Sequence, residues 1–402
     1  MIEPRCVTRV LGRAALVWLA WSCFAGVADS DERVYGSWTL KSSRSGDFPP
    51  PNAGDQQTCL VVADFDGDSI LDFAVGERTR APAVVWYRWT GTTWERRVIE
   101  AGALRPEAGG VAADLDGDGD ADLILGQDAS GPEMWWWENP RPHFEMPWKR
   151  RLIKVDGGRK HHDQTFGDFT GDGRPELLSW NQGAKSLLML SPPDDPHVET
   201  PWPARVIDRW RDGPELEGFP SQPVDVDGDG VSDIVGGGRW LRYRGDDAFD
   251  CEIIDDRMRF TQCAAGQLVA GGRPEIVFSP GDTDGEARWY EFDGRGWQGH
   301  SLGDVVHGHT CEIADLDRDG NLDILIGEMG SPGAGDQARI MVWLGDGRGG
   351  FRKEIVRTGQ GIHEGRLADV NGDGRLDILV KPYHHNAPLM EILQNGGYSR
   401  AE

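Results

Sequence analysis

The stretch Asp315-Leu316-Asp317-Arg318-Asp319-Gly320-Asn321-Leu322-Asp323 puts carboxylates at positions 1, 3, 5 and 9 of a loop that turns at Gly320. Oxygens spaced in this way can gather round one hard cation, which is what calcium requires. The flanks Cys311–Leu316 and Asp323–Glu328 are short and rich in Ile and Leu, so the loop joins two strands. An EF-hand would need flanking helices and a Glu at position 12, where this chain has Ile326.

The same nine positions recur about every fifty residues. The expected calcium ligands are Asp64, Asp66, Asp68 and Asp72; Asp114, Asp116, Asp118 and Asp122; Asp168, Asp172 and Glu176; Asp225, Asp227, Asp229 and Asp233; Asp315, Asp317, Asp319 and Asp323; and Asp369, Asn371, Asp373 and Asp377. A seventh copy, Gln267–Glu275, keeps the glycine turn and the final acid but has lost the first three ligands. Seven units, up to six of them holding Ca2+, indicate a repeat architecture, because one such unit cannot bury its own apolar face.

Each unit continues with a third strand, such as Ala83–Trp89, Glu133–Glu138 or Ile340–Leu344, and a fourth that opens on an aromatic residue, such as Trp94–Ile99 or Trp148–Ile153. The last unit lacks its fourth strand, and Gly36–Lys41 at the other end of the chain supplies one. The expectation is therefore an all-β chain: a seven-bladed β-propeller of four-stranded blades over residues 34–397, closed by an N-terminal strand that completes the last blade. Most of the 17 Trp then pack blade on blade, while Trp135, Trp180 and Trp240 are equally candidates for stacking on sugar rings.

Arg5, Arg9 and Arg13 precede the apolar run Ala14–Ala28, which reads as a signal peptide over residues 1–28 of a secreted or periplasmic protein with no transmembrane segment in the mature chain. The formal charge of −25 leaves an anionic surface even with six dications bound, which argues against nucleic acid as a partner. Export permits disulfides, and Cys251 with Cys263 is one pairing that the strand order allows.

Six residues before each loop stand Thr58, Ala108, His162, Phe219, Thr261, His309 and His363. Three histidines at one register share a pleat phase and can converge at the channel mouth, away from the calcium loops. His161, His307, His384 and His385 fall at the same end, with Glu328, Lys381 and Tyr383. One reading makes His162, His309, His363 and Glu328 the ligands of Zn2+ or a similar metal, with His384, Tyr383, Lys381 and His307 moving protons. A second has the histidines act without metal, and a third has them only hydrogen-bond the loops. The segments Gly330–Gln337 and Ser191–Pro203 are expected as candidate lids over the mouth.

The repeats resemble the FG-GAP or VCBS repeats of integrin-type propellers, which implies the fold and calcium binding but no single activity. His161–Asp168, Trp180–Gly183, His309 and His363 are further similar to the propeller domain of aldos-2-ulose dehydratases. That resemblance implies zinc at a propeller cleft and elimination of water from a keto-sugar. Nothing after the propeller matches that family's cupin domains, so only an elimination step carries over. The expected partner is a small sugar or oligosaccharide. A uronate polysaccharide lyase using a metal-free His/Tyr pair, and a non-catalytic cell-surface carbohydrate- or protein-binding module, are the alternatives.

Overall fold

A computed structural model describes residues 34–198 and 201–400, so the expected signal segment lies outside the described residues. The strands form seven antiparallel sheets, six of four strands and one of three. Blade one is Gln57–Ala63, Asp72–Glu77, Val84–Trp89 and Trp94–Glu100, each strand bonded to the next. The innermost strands of blades one, two and three touch in turn, as do those of blades five, six and seven, and that of blade seven, Glu364–Ala368, touches that of blade one. Closure follows the expected route: Val34–Ser42 pairs antiparallel with Glu391–Arg400 and becomes the outer strand of blade seven. That third strand of blade seven reaches Arg400, past the expected end of the propeller at residue 397, with Asn395 opposite Trp38 beside an irregularity in the register.

Blade four departs from the four-strand rule. Its inner edge, Phe219–Val224, is reduced to a single bridge between Val224 and Asp233. Pro220 and Pro223 explain this, because neither can donate a backbone N–H to a ladder. The segment before it, freed from regular pairing, folds over the channel.

The core is not one body but seven clusters, one between each pair of neighbouring blades. Trp86, Trp135 and Trp137 fill the seam between blades one and two, and Trp180 that between three and four. Trp135, Trp180 and Trp240 are buried to within 1 % of their surface, so all three pack between blades and none offers a face to a sugar. Cys59, Cys263 and Cys311 are buried and Cys251 exposed, all as free thiols, so the Cys251–Cys263 pairing does not form.

Antiparallel order sets which loops share an end. The connections between strands one and two, which carry the acidic loops, and between three and four lie at one end, and those between two and three lie at the mouth. Ser191–Pro203 joins a third strand to a fourth, so it is not a mouth lid; its His197 Nε2 lies 3.2 Å from Asp116 Oδ2 in the loop of blade two. Gly330–Gln337 does lie at the mouth. Among the described residues no helix is long and apolar enough to cross a membrane.

Candidate functional site

The shared register brings the three histidine rings together. The His162 and His309 centroids are 5.8 Å apart, and His309 and His363 stack at 4.4 Å with planes 16° apart. A β-bulge sets the first of them: His162 and Gln164 pair with Trp180 and Ser179, leaving Asp163 as the extra residue with φ 45°. Displaced from the ladder, Asp163 accepts from His162 Nδ1 at 2.9 Å and from the Gly218 N–H at 2.8 Å. His309 Nδ1 donates to the His363 carbonyl at 2.8 Å. Each ring thus commits its Nδ1–H to an acceptor and turns Nε2 to the other side, where it can ligate once it carries no proton.

Both Nε2 atoms face Glu217, which the sequence reading missed. His162 Nε2 lies 3.6 Å from Glu217 Oε2, and His309 Nε2 3.7 Å from Glu217 Oε1. Glu217 has no exposed surface, and its Oε1 and His309 Nε2 lack any hydrogen-bond partner. A Cβ on Gly281 would sit 2.3 Å from Glu217 Oε1, so glycine there makes room for the carboxylate. Burial drives the Glu217 carboxyl well above the ordinary range and lowers the pKa of His309. Burial also opposes charge on His162, but Asp163 and Glu217 outweigh it and carry its pKa up to about 10.

These three side chains offer donor atoms all within 4.8 Å of one another. Two imidazole nitrogens and one carboxylate, each imidazole oriented by a second acceptor, make up the donor set of a catalytic zinc site with an open position. Bonds of about 2.0–2.2 Å in a tetrahedral arrangement separate donors by roughly 3.3–3.5 Å. The two Glu217 contacts, 3.6 and 3.7 Å and made by different oxygens, stand a few tenths of an ångström outside that range.

The other residues expected here divide into two groups. His363 is in the cluster but is not placed as a ligand: its Nδ1 accepts from Lys381 Nζ at 2.9 Å, which leaves the proton on Nε2. Burial and Lys381 push the His363 pKa well below its ordinary value, consistent with that neutral ring. Lys381 has no exposed surface and spends its remaining donors on the Gln57 and Thr58 carbonyls at 2.8 and 3.0 Å, so it has no donor free for substrate. Its pKa is pushed down to about 8 by burial, against the pull of Glu364.

Glu328 is not a ligand either. It is held by Arg339 and by the N–H groups of Val306 and Arg339, so its charge is already answered. His307 turns to Asp284, 3.7 Å away, and stays out of the cluster. His161 bonds the Pro132 carbonyl, and His385 faces Asp336. Tyr383 stacks on His363 at 5.0 Å, with its hydroxyl 3.3 Å from Gln56 Oε1. His384 packs edge-on against Tyr383 and points Nδ1 at Asp55, 3.1 Å away. Of the expected proton-moving residues, these two pack in series on His363 with their polar atoms clear of the buried lysine.

At the opposite end the acidic loops share one geometry. Asp64 accepts from the N–H groups of Gly67, Asp68 and Ser69, while the buried Asp72 accepts from Phe65 and Asp66. Asp64, Asp66 and Asp72 converge within 4.8 Å, as do Asp114, Asp116 and Asp118, and Asp168, Asp172 and Glu176. Each set could hold a hard cation. In the worn loop of blade five, Gln267 Nε2 donates instead to the Val269 and Gly271 carbonyls, so an amide braces the turn from within.

An FG-GAP-like repeat family matches residues 64–125 and 114–179. No curated protein matches the chain significantly in sequence. Among solved structures, an Agrocybe aegerita lectin, described as recognising non-reducing terminal N-acetylglucosamine, is similar with a TM-score of 0.52 at 18% identity. That match covers 76% of this chain and 81% of the lectin. BBS1N, solved in complex with ARL6DN, is similar with a TM-score of 0.52 at 11% identity, covering 89% of this chain and 96% of that one. At such identities the likeness extends to the fold alone.

Proposed function

Because the chain is a seven-bladed β-propeller built of FG-GAP-like repeats, we propose that it is an exported, calcium-braced scaffold holding a further divalent cation, zinc or similar, between His162, His309 and Glu217. We take its reaction to be elimination of water from a keto-sugar. The observation that carries this reading is the convergence of two imidazole Nε2 atoms on a fully buried carboxyl group whose Oε1 has no partner. A carboxyl buried in this way holds its proton, and a divalent cation would displace that proton together with the one on His162 Nε2.

When bound, such a cation would polarise a carbonyl oxygen and stabilise the negative charge that develops as the neighbouring carbon loses its proton. The chain's own residues supply the rest. Asp163 and the His363 carbonyl hold the two imidazoles in the ligating tautomer. His384, oriented by Asp55, is the candidate base for the carbon-bound proton. Tyr383, fixed by its stack on His363, is the candidate donor to the departing hydroxyl.

The test compares the mature protein with a Glu217→Gln variant, which keeps shape and removes the charge. Wild type should carry about one zinc-like ion per chain beyond calcium, and the variant should lose that ion while still folding. Keto-sugars incubated with wild type should develop the near-ultraviolet absorbance of an unsaturated ketone. Equal transition-metal content in the two proteins would refute the site. Metal without turnover would favour a non-catalytic sugar binder, a reading that the fold of the lectin supports.

A further inference from the structure

The channel between the seven inner strands encloses a cavity of about 260 Å³. Its lining runs from His309 and Phe219, at the register of the histidine cluster, to Leu71 in the calcium loop of blade one. The wall therefore includes one ligand of the proposed centre and extends toward the opposite end of the ring from Tyr383 and His384. We infer that this channel is a binding compartment for one small, uncharged, hydroxyl-rich molecule, the size of a single hexose, admitted from the calcium-loop end. The inference does not rest on the proposed reaction: Tyr383 and His384 do not line this channel, and a molecule held in it is not placed against them.

Size is the first constraint. A dry cavity of about 150 Å³ accommodates benzene, with its six heavy atoms. In proportion, the channel holds roughly ten heavy atoms, close to one monosaccharide and too few for a second ring.

Charge is the second. The one guanidinium in the wall, Arg366, is bound to Glu312 at 3.2 Å and to Glu364 at 2.7 Å. Asp163 also lines the cavity. Asp163 is held by His162 Nδ1 at 2.9 Å and Arg366 by its two carboxylates, so among the described residues the wall has no unpaired cation to receive an anionic sugar.

Hydrogen-bond demand is the third. Gln164 is 6% exposed and lines the cavity, and its Nε2 donates to the His161 carbonyl at 2.9 Å. That bond fixes the amide and leaves Oε1 buried without a partner, an acceptor that calls for an O–H.

Calorimetric titration of the calcium- and zinc-loaded protein tests this. The probes are D-fructose, D-glucuronate and maltotriose, against wild type, Gln164→Leu and Ala112→Trp, the last narrowing the channel near its calcium-loop end. Fructose should bind wild type saturably, glucuronate at least tenfold more weakly, and maltotriose not at all. Both variants should weaken fructose at least tenfold while keeping their zinc.

Maltotriose or glucuronate binding as tightly as fructose, or fructose affinity unchanged in either folded variant, would overturn the inference. So would a zinc-loaded wild type that binds none of the three. A wild type that binds fructose as expected but holds no zinc would leave the compartment standing and remove the centre instead. Should Ala112→Trp fail to fold, Gln164→Leu decides alone.

Discussion

At the scale of single residues, Lys381 shows how the ring's closure is tied to the histidine cluster. Its ammonium is fully buried and holds two carbonyls of blade one and the ring of His363 in blade seven. Lys381→Met keeps the aliphatic volume and strands three acceptors, each worth about 1–3 kcal/mol when buried unpaired. We expect a loss of at least about 2 kcal/mol in chemical denaturation; a loss below about 0.5 kcal/mol would show that the bonds are replaced by water. The zinc content should fall less than in Glu217→Gln, because Lys381 reaches the ligands only through the stack of His363 on His309. Register arithmetic finds His162, His309 and His363, because a strand repeats its facing every second residue. It cannot find Glu217, which precedes the inner edge that Pro220 and Pro223 disrupt and so has no strand phase to be counted from. It also overvalues Glu328, since spacing along one strand says nothing of Arg339 on the next.

At the scale of the element, the acidic loop was the most legible feature, because turn glycines and alternating acids sit in a fixed order and the backbone donors that receive them are local. Asp319→Ala removes one oxygen from blade six. With calcium at a hundredfold excess over its Kd, a site contributes about 2.7 kcal/mol to folding, and the variant should forfeit most of it. Calcium-dependent melting that does not differ between variant and wild type would refute structural calcium there. The chelated protein carries a separate signature. Burial raises the last acid of the loops to about 8 in Asp72 and Asp122, about 7 in Asp323 and Asp377, and about 6 in Asp233, with nearby loop acids adding to it. A raised carboxyl binds its proton more tightly folded than unfolded, so its contribution is complete below pH about 4 and is lost as the pH climbs toward 8. In chelator the melting temperature should therefore fall between pH 5 and 8, and saturating calcium should abolish most of that slope. A slope that persists in calcium would place its origin elsewhere.

At the scale of the whole molecule, stability depends on a ring with no free end. The seven clusters lie between blades, so each blade is stabilised by both neighbours, and the strand Val34–Ser42 is what lets blade seven complete its own sheet. Counting strands from sequence reveals that closure, because a missing outer strand at one terminus and a spare one at the other must answer each other; what counting cannot reveal is that blade four gives up its inner strand. A chain beginning at residue 44 would leave Glu391–Arg400 as an unpaired edge and remove Trp38 from its contact with Tyr398. Blade seven also carries His363 and Lys381, so its loosening should reach the histidine cluster as well as the rim. We expect the truncated protein to melt well below the full chain, to self-associate through the open edge, and to recover part of both losses when a synthetic peptide of residues 34–43 is added. Melting and sedimentation that match the full chain would mean that the inner strands and seams close the ring without their last strand. Recovery with the peptide, together with return of the transition metal, would tie closure at the rim to the ligands at the channel.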